Sequence, residues 1–155
     1  MSLPHGHRFR NFGEAGRAAF WQTRRMNIKL TSIMVDDQNK ALKFYTEVLG
    51  FVKKMEIPVG EYRWLTVVSP DGPSDLELSL EPNANPAGKA FQEAMFKQGI
   101  PIAAFETDNL DKEFKRLKDL GVVFTQPPTE AGPVTIAICA DTCGNLIQLY
   151  QPPQG

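Results

Sequence analysis

Apolar residues recur at every second position in some stretches of this chain and at every third or fourth in others, and the two periods alternate. Residues 75–81, DLELSLE, set Leu76, Leu78 and Leu80 on one side and Asp75, Glu77, Ser79 and Glu81 on the other, as a half-buried strand does. Residues 29–35, KLTSIMV, also read as a strand. Asp37 follows where a helix wants its N-cap, and residues 38–49 gather Ala41, Leu42, Tyr45, Val48 and Leu49 on one face until Gly50 stops the helix. Further strands are predicted at 51–57, 62–69 and 74–81.

The same order then repeats. A strand is predicted at 102–107, and Asn109 caps a helix with Leu110, Phe114 and Leu117 inward, ended by Gly121. Strands follow at 122–126, 133–140 and 145–151. VDDQNKALKF at 35–44 lies over TDNLDKEFKR at 107–116, an offset of 72 residues. Two copies of this length make a paired module rather than a solenoid. Between them, Asn85 and Pro86 start a linking helix at 86–98, closed by Gly99.

Composition narrows the function classes. The 155 residues are 42% hydrophobic with a net charge of −1, the size and balance of one globular domain. Interspersed charge gives no electrostatic case for nucleic acid or a membrane surface, and no apolar run approaches the roughly 20 residues of a spanning helix. Two cysteines, Cys139 and Cys143, are too few for a disulfide framework, so a reducing cytoplasm is expected. Residues 1–26 form an N-terminal extension with five Arg, one Glu and both histidines, and the domain is expected over 27–155. His5 and His7 read as a solvated terminus. If the extension is ordered, Phe12, Ala15, Ala19 and Phe20 are expected to form the apolar stripe of a short helix packed on the domain or on a partner.

VDDQNKALKFYTEVLGF, FETDNLDKEFKRLKDLGV and DTCGNLIQLYQP resemble the vicinal oxygen chelate superfamily, which includes glyoxalase I, extradiol dioxygenases and bleomycin resistance proteins. The resemblance covers 28–151, and DTCGN stands where the family usually shows Asp-Pro-Asp-Gly-Asn. It implies an α+β fold of two βαβββ modules, at 28–81 and 102–151. They form a curved mixed sheet around a concave cavity, with the helices outside.

Metal-dependent members place four ligands at the centre of that cavity. Carried onto this chain, the four positions are Leu30, Glu77, Ile102 and Gln148, with 30 matched to 102 and 77 to 148. Leu30 and Ile102 have no lone pairs, and Gln148 offers a neutral amide, so the donor set falls short of a catalytic divalent ion. No metal and no cofactor are expected. A slip of two residues would bring in Ser32, Ser79 or Glu81, none of them a histidine.

Glu77 is the candidate catalytic residue. On a partly desolvated concave face its pKa would rise and it could act as a base; otherwise it is a solvated carboxylate or a partner of Arg63. Arg63 and Trp64 are adjacent, so one faces the cavity, and alternation alone does not say which. Leu30, Ser32, Met34, Ile102, Gln148 and Tyr150 complete the expected ligand lining. Cys139 and Cys143 read as structural thiols, and Asp36, Asp37 and Asp108 as helix-start residues. The expected function is binding or sequestering a compact organic ligand without a catalytic metal, by a cytoplasmic homodimer. The alternatives are a lyase or isomerase using Glu77 as base, or a metal-dependent glyoxalase or dioxygenase.

Overall fold

Asp37 accepts hydrogen bonds from the backbone N–H groups of Asn39 and Lys40 at 2.8 and 2.9 Å, which fixes where the first helix begins. The computed structural model describes residues 26–153. The expected Phe12–Phe20 stripe and the His5/His7 pair lie outside them. Strand β1 (Leu30–Val35) leads into helix α1 (Gln38–Lys43), which continues as a π-helical turn over Phe44–Val48. Gly50, at φ +82°, ends it in a backbone conformation that side-chain-bearing residues resist.

The first module is completed by β2 (Val52–Val59), β3 (Tyr62–Val68) and β4 (Glu77–Pro82). Helix α2 (Pro86–Lys97), capped by Asn85, links it to β5 (Ala103–Glu106), α3 (Leu110–Asp119), β6 (Phe124–Ala131), β7 (Val134–Ala140) and β8 (Leu146–Gln151). The fold is α+β, two βαβββ modules as expected. Strand pairing stays within each module and gives two four-stranded mixed sheets, ordered β1-β4-β3-β2 and β5-β8-β7-β6. Among the described residues no helix is long and apolar enough to cross a membrane.

Two boundaries differ by three residues or more from those expected. Strand β4 opens at Glu77, because Pro73 and Leu76 close a turn that occupies the segment before it. Strand β6 runs on through Pro127 and Pro128 to Ala131. It is an edge strand whose register shifts between Gln126 and Thr129, so the missing proline N–H groups break no inner ladder.

One core serves both modules. Ile33, Val35, Leu65, Val67 and Leu80 of the first sheet and Ala137, Cys139, Ile147 and Leu149 of the second belong to a single buried cluster. Tyr45 stacks on Phe51, and Phe105 of β5 meets both rings edge-on at 6.4 and 5.2 Å.

A buried polar knot fastens the seam between the modules. Gln92 of α2 donates to the carbonyls of Met34 and Cys143 and to Asn145 Oδ1, and accepts from Asn83. Asp141, fully buried, accepts from Tyr45, from the backbone N–H groups of Cys143 and Asn145, and from Asn145 Nδ2. No ion pair among the described residues involves Asp141. Burying a carboxylate costs several kcal/mol, and here four donors offset that cost in place of a cation. Gly144 sits against this knot: a Cβ there would come within 2.9 Å of Gln92 Nε2.

Candidate functional site

Paired residues on neighbouring strands share a face, so the register gives the composition of the surface turned away from the helices. On the first sheet Ile33, Leu65, Val67 and Leu80 point to the core. The opposite face therefore carries Leu30, Ser32 and Met34 of β1, Glu77, Ser79 and Glu81 of β4, Trp64 and Thr66 of β3, and Met55 and Ile57 of β2. Ser32, Ser79, Thr66 and Met55 are cross-strand partners in one row. Thr66 and Ser79 are buried, so this row is the floor, while Leu30, Ile57, Val59, Tyr62 and Trp64 stand exposed as an apolar wall.

Two hydroxyls of that floor each hold a carboxylate. Thr66 Oγ1 donates to Glu77 Oε2 at 2.6 Å, and Ser79 Oγ donates to Glu81 Oε1 at 2.8 Å. Lys54 reaches Glu77 Oε1 at 3.2 Å. The expectation that Glu77 has a raised pKa is corrected here. The Thr66 hydrogen bond leads in holding its carboxyl below the ordinary range, and with Lys54 it outweighs the opposing desolvation.

The choice between Arg63 and Trp64 is also settled. Arg63 donates to Glu56 and to Asn39 of α1 at 2.6 and 2.8 Å, and its backbone N–H and carbonyl bond the buried Gln38 amide. Arg63 thus lies on the helix side, and Trp64 on the open face.

The second sheet turns Ala104 and Glu106 of β5, Gln148 and Tyr150 of β8, and Ile136 and Ile138 of β7 away from the core. Gln148 lies between Ala104 and Ile138 in the ladder. Tyr150 donates to Glu106 Oε2 at 2.9 Å, a bond that raises its phenol pKa because deprotonation would set two anions together.

The two ladders correct the internal alignment. Leu30 pairs with Glu77 and Ser32 with Ser79, whereas Ala104 pairs with Gln148. With Leu30 matched to Ile102, Ser32 matches Ala104, and the counterpart of Gln148 is Ser79 rather than Glu77. The physical reason is the strand period of two: sliding β4 by two residues leaves every Leu on the core side, so alternation cannot tell the registers apart.

The four positions that the resemblance assigns to a metal, Leu30, Glu77, Ile102 and Gln148, supply one carboxylate and one amide, and with the ladder counterpart Ser79 in place of Glu77 only a hydroxyl and an amide. Among the described residues no three His, Cys, Asp or Glu side chains come together as a ligand set. These residues do not fit a catalytic divalent ion. Cys139 and Cys143 are buried, and burial with the nearby Asp141 charge pushes both thiols up to about 12, away from nucleophilic use.

Two grooves connect the elements. Ser32, Met34 and Ile102 line one of about 250 Å³ together with Phe91 and Met95 of α2. Phe91 and Met95 escaped the sequence reading, although their spacing of four on a helix already placed them on one face. Glu77 lines the other groove, of about 400 Å³, with Ala104 and Phe105 of the second module.

The comparisons agree with this geometry. The model of the Glyoxalase/Bleomycin resistance protein/Dioxygenase superfamily matches residues 27–149. The uncharacterized protein YurT of Bacillus subtilis (strain 168) is 53% identical over 126 residues, covering 81% of this chain and 99% of YurT. Among solved structures, UcmS2 is 32% identical with a TM-score of 0.71, over 82% of this chain and 98% of UcmS2. TnmS3, an antibiotic binding protein from Streptomyces sp. CB03234, is 29% identical with a TM-score of 0.66, over 83% and 97%. With the family model spanning both modules and every strand but the last residues of β8, the chain belongs to the glyoxalase/bleomycin resistance protein/dioxygenase superfamily.

Proposed function

We propose that this protein binds or sequesters a compact organic ligand without a catalytic metal, acting as a homodimer. The reading is supported by the residues at the four expected central positions, Leu30, Ile102, Gln148 and, by the ladder register, Ser79, two apolar side chains and two neutral hydrogen-bonding ones. Such a set recognises a neutral polar group within an apolar setting and offers no Lewis acid. Trp64, Met34 and Met55 supply flat and adaptable apolar surface on the first sheet, and Tyr150 and Gln148 supply polar contacts on the second. The likeness to TnmS3 supports a ligand of antibiotic type. The exposed apolar wall of Leu30, Ile57, Tyr62 and Trp64 supports closure by a second copy.

Reading Glu77 as a general base finds no support in its surroundings, since a carboxylate held ionised by Thr66 and Lys54 is a weak proton acceptor at neutral pH. Mass spectrometry of small molecules released from the purified protein tests the binding reading. An organic molecule recovered at near one per chain supports it, and proton exchange on a carbonyl substrate that is lost in Glu77→Gln would replace it with the lyase or isomerase reading.

A further inference from the structure

The groove of about 400 Å³ at the module seam is walled by Phe51, Phe105, Val67, Leu76 and Leu78, with Ile28 at its rim. Phe51 and Phe105 meet edge-on at 5.2 Å behind it. This is apolar surface facing solvent, and Ile28, Leu76 and Met26 add large exposed side chains beside it. A surface of this kind in a folded domain marks a contact site.

The position of the chain start indicates what makes that contact. Ile28 lines the groove, and Met26, where the described residues begin, is two positions upstream. Trp21 and Phe20 precede Met26 by five and six residues, within an extended reach of about 20 Å. Residues 1–25 carry five Arg and a single acidic residue, a charge of +4, while residues 26–155 carry −5, and together these give the −1 of the whole chain. Glu77 lines the groove and is paired with Lys54, and the bordering loop, residues 69–76, carries Asp71 and also Asp75, which is paired with Lys29. Aromatic residues and arginines thus precede, by a short stretch of chain, an apolar groove bordered by an acidic loop on a domain of net negative charge.

We propose that residues 1–25 dock on their own domain, with Phe20 and Trp21 seated in the seam groove and the arginines against the acidic loop that borders it.

The chain has two tryptophans, Trp21 and Trp64, so the full-length Trp64→Phe variant reports on Trp21 alone. Docking gives an emission maximum shifted to the blue and acrylamide quenching several-fold weaker than in a synthetic peptide of residues 1–25, at every protein concentration. Leu76→Glu, added to that variant, returns both readings to the peptide values while the circular dichroism stays native. Ile28→Glu, at a residue 82% exposed, does the same without entering the core. Peptide-like emission in the full chain would overturn the proposal. So would a blue shift that grows with protein concentration, which means a neighbouring copy, or one that neither glutamate moves, which means a different groove.

Discussion

The Tyr45 hydroxyl donates to Asp141 Oδ2 at 2.9 Å across the seam of the two modules, and both groups are buried. Tyr45→Phe keeps the ring contacts to Phe44, Phe51 and Phe105 and removes only this bond. It leaves a buried carboxylate short of one donor, so stability should fall by about 1–3 kcal/mol. Urea denaturation should show a lower midpoint at unchanged slope, because the surface exposed on unfolding is the same. An unchanged midpoint would mean that the Asp141 knot is not under tension from this side.

Alkaline pH should loosen the same region. Burial raises Cys139 and Cys143 from 9.0 to about 12 in the folded protein and places Tyr45 well above its ordinary 10.0. Folding therefore favours the protonated forms. Their contribution is complete below about pH 9 and is lost progressively as pH rises toward 12. Thermal melts between pH 7 and 11 should be level up to about 9 and then decline, and the thiols should react with a disulfide reagent only as the protein opens. Rapid native-state labelling at pH 8 would contradict this burial.

Glu77 should titrate below the ordinary carboxylate value of 4.5. Its depressed pKa means that its stabilisation is present above about pH 4.5 and disappears as pH falls through the folded value. Thr66→Val removes the leading cause, the 2.6 Å hydrogen bond, and NMR titration should then find Glu77 nearer its ordinary value. A Glu77 that titrates above 4.5 in the parent protein would reopen its case as a base.

The register correction can be tested by construction. The triple variant Leu30→His, Ile102→His, Gln148→Glu retains Glu77 and should bind divalent nickel or zinc weakly. Adding Ser79→Glu should tighten binding by more than tenfold, because position 79 is the ladder counterpart of position 148. Calorimetric titration reads the difference. Tight binding by the triple variant alone, lost on Glu77→Gln, would restore Glu77 to the central set.

Much of the fold was legible because local chemistry and global fold agree in it. The Asp37 cap, the shared side of Leu78 and Leu80, the stop at Gly50 and the repeat from 35–44 to 107–116 were all readable without coordinates. The site was less legible for two physical reasons. A two-residue slip preserves every inward and outward assignment, so Glu77 and Ser79 were interchangeable in the sequence. Arg63 and Trp64 could be separated only through Asn39 and Glu56, partners 24 and 7 residues away in the chain. Phe91 and Met95 belong to a linking helix whose side-chain roles depend on where it docks, against Met34 and Ile102.

Native mass spectrometry of the full-length protein purified without chelators, paired with elemental analysis of the same sample, tests metal-free ligand binding most directly. The expected result is a mass excess that leaves with organic solvent and resolves into a small organic molecule, with zinc, nickel, manganese and iron far below one per chain. Close to one metal per chain, removed by a chelator together with the bound mass, would contradict it.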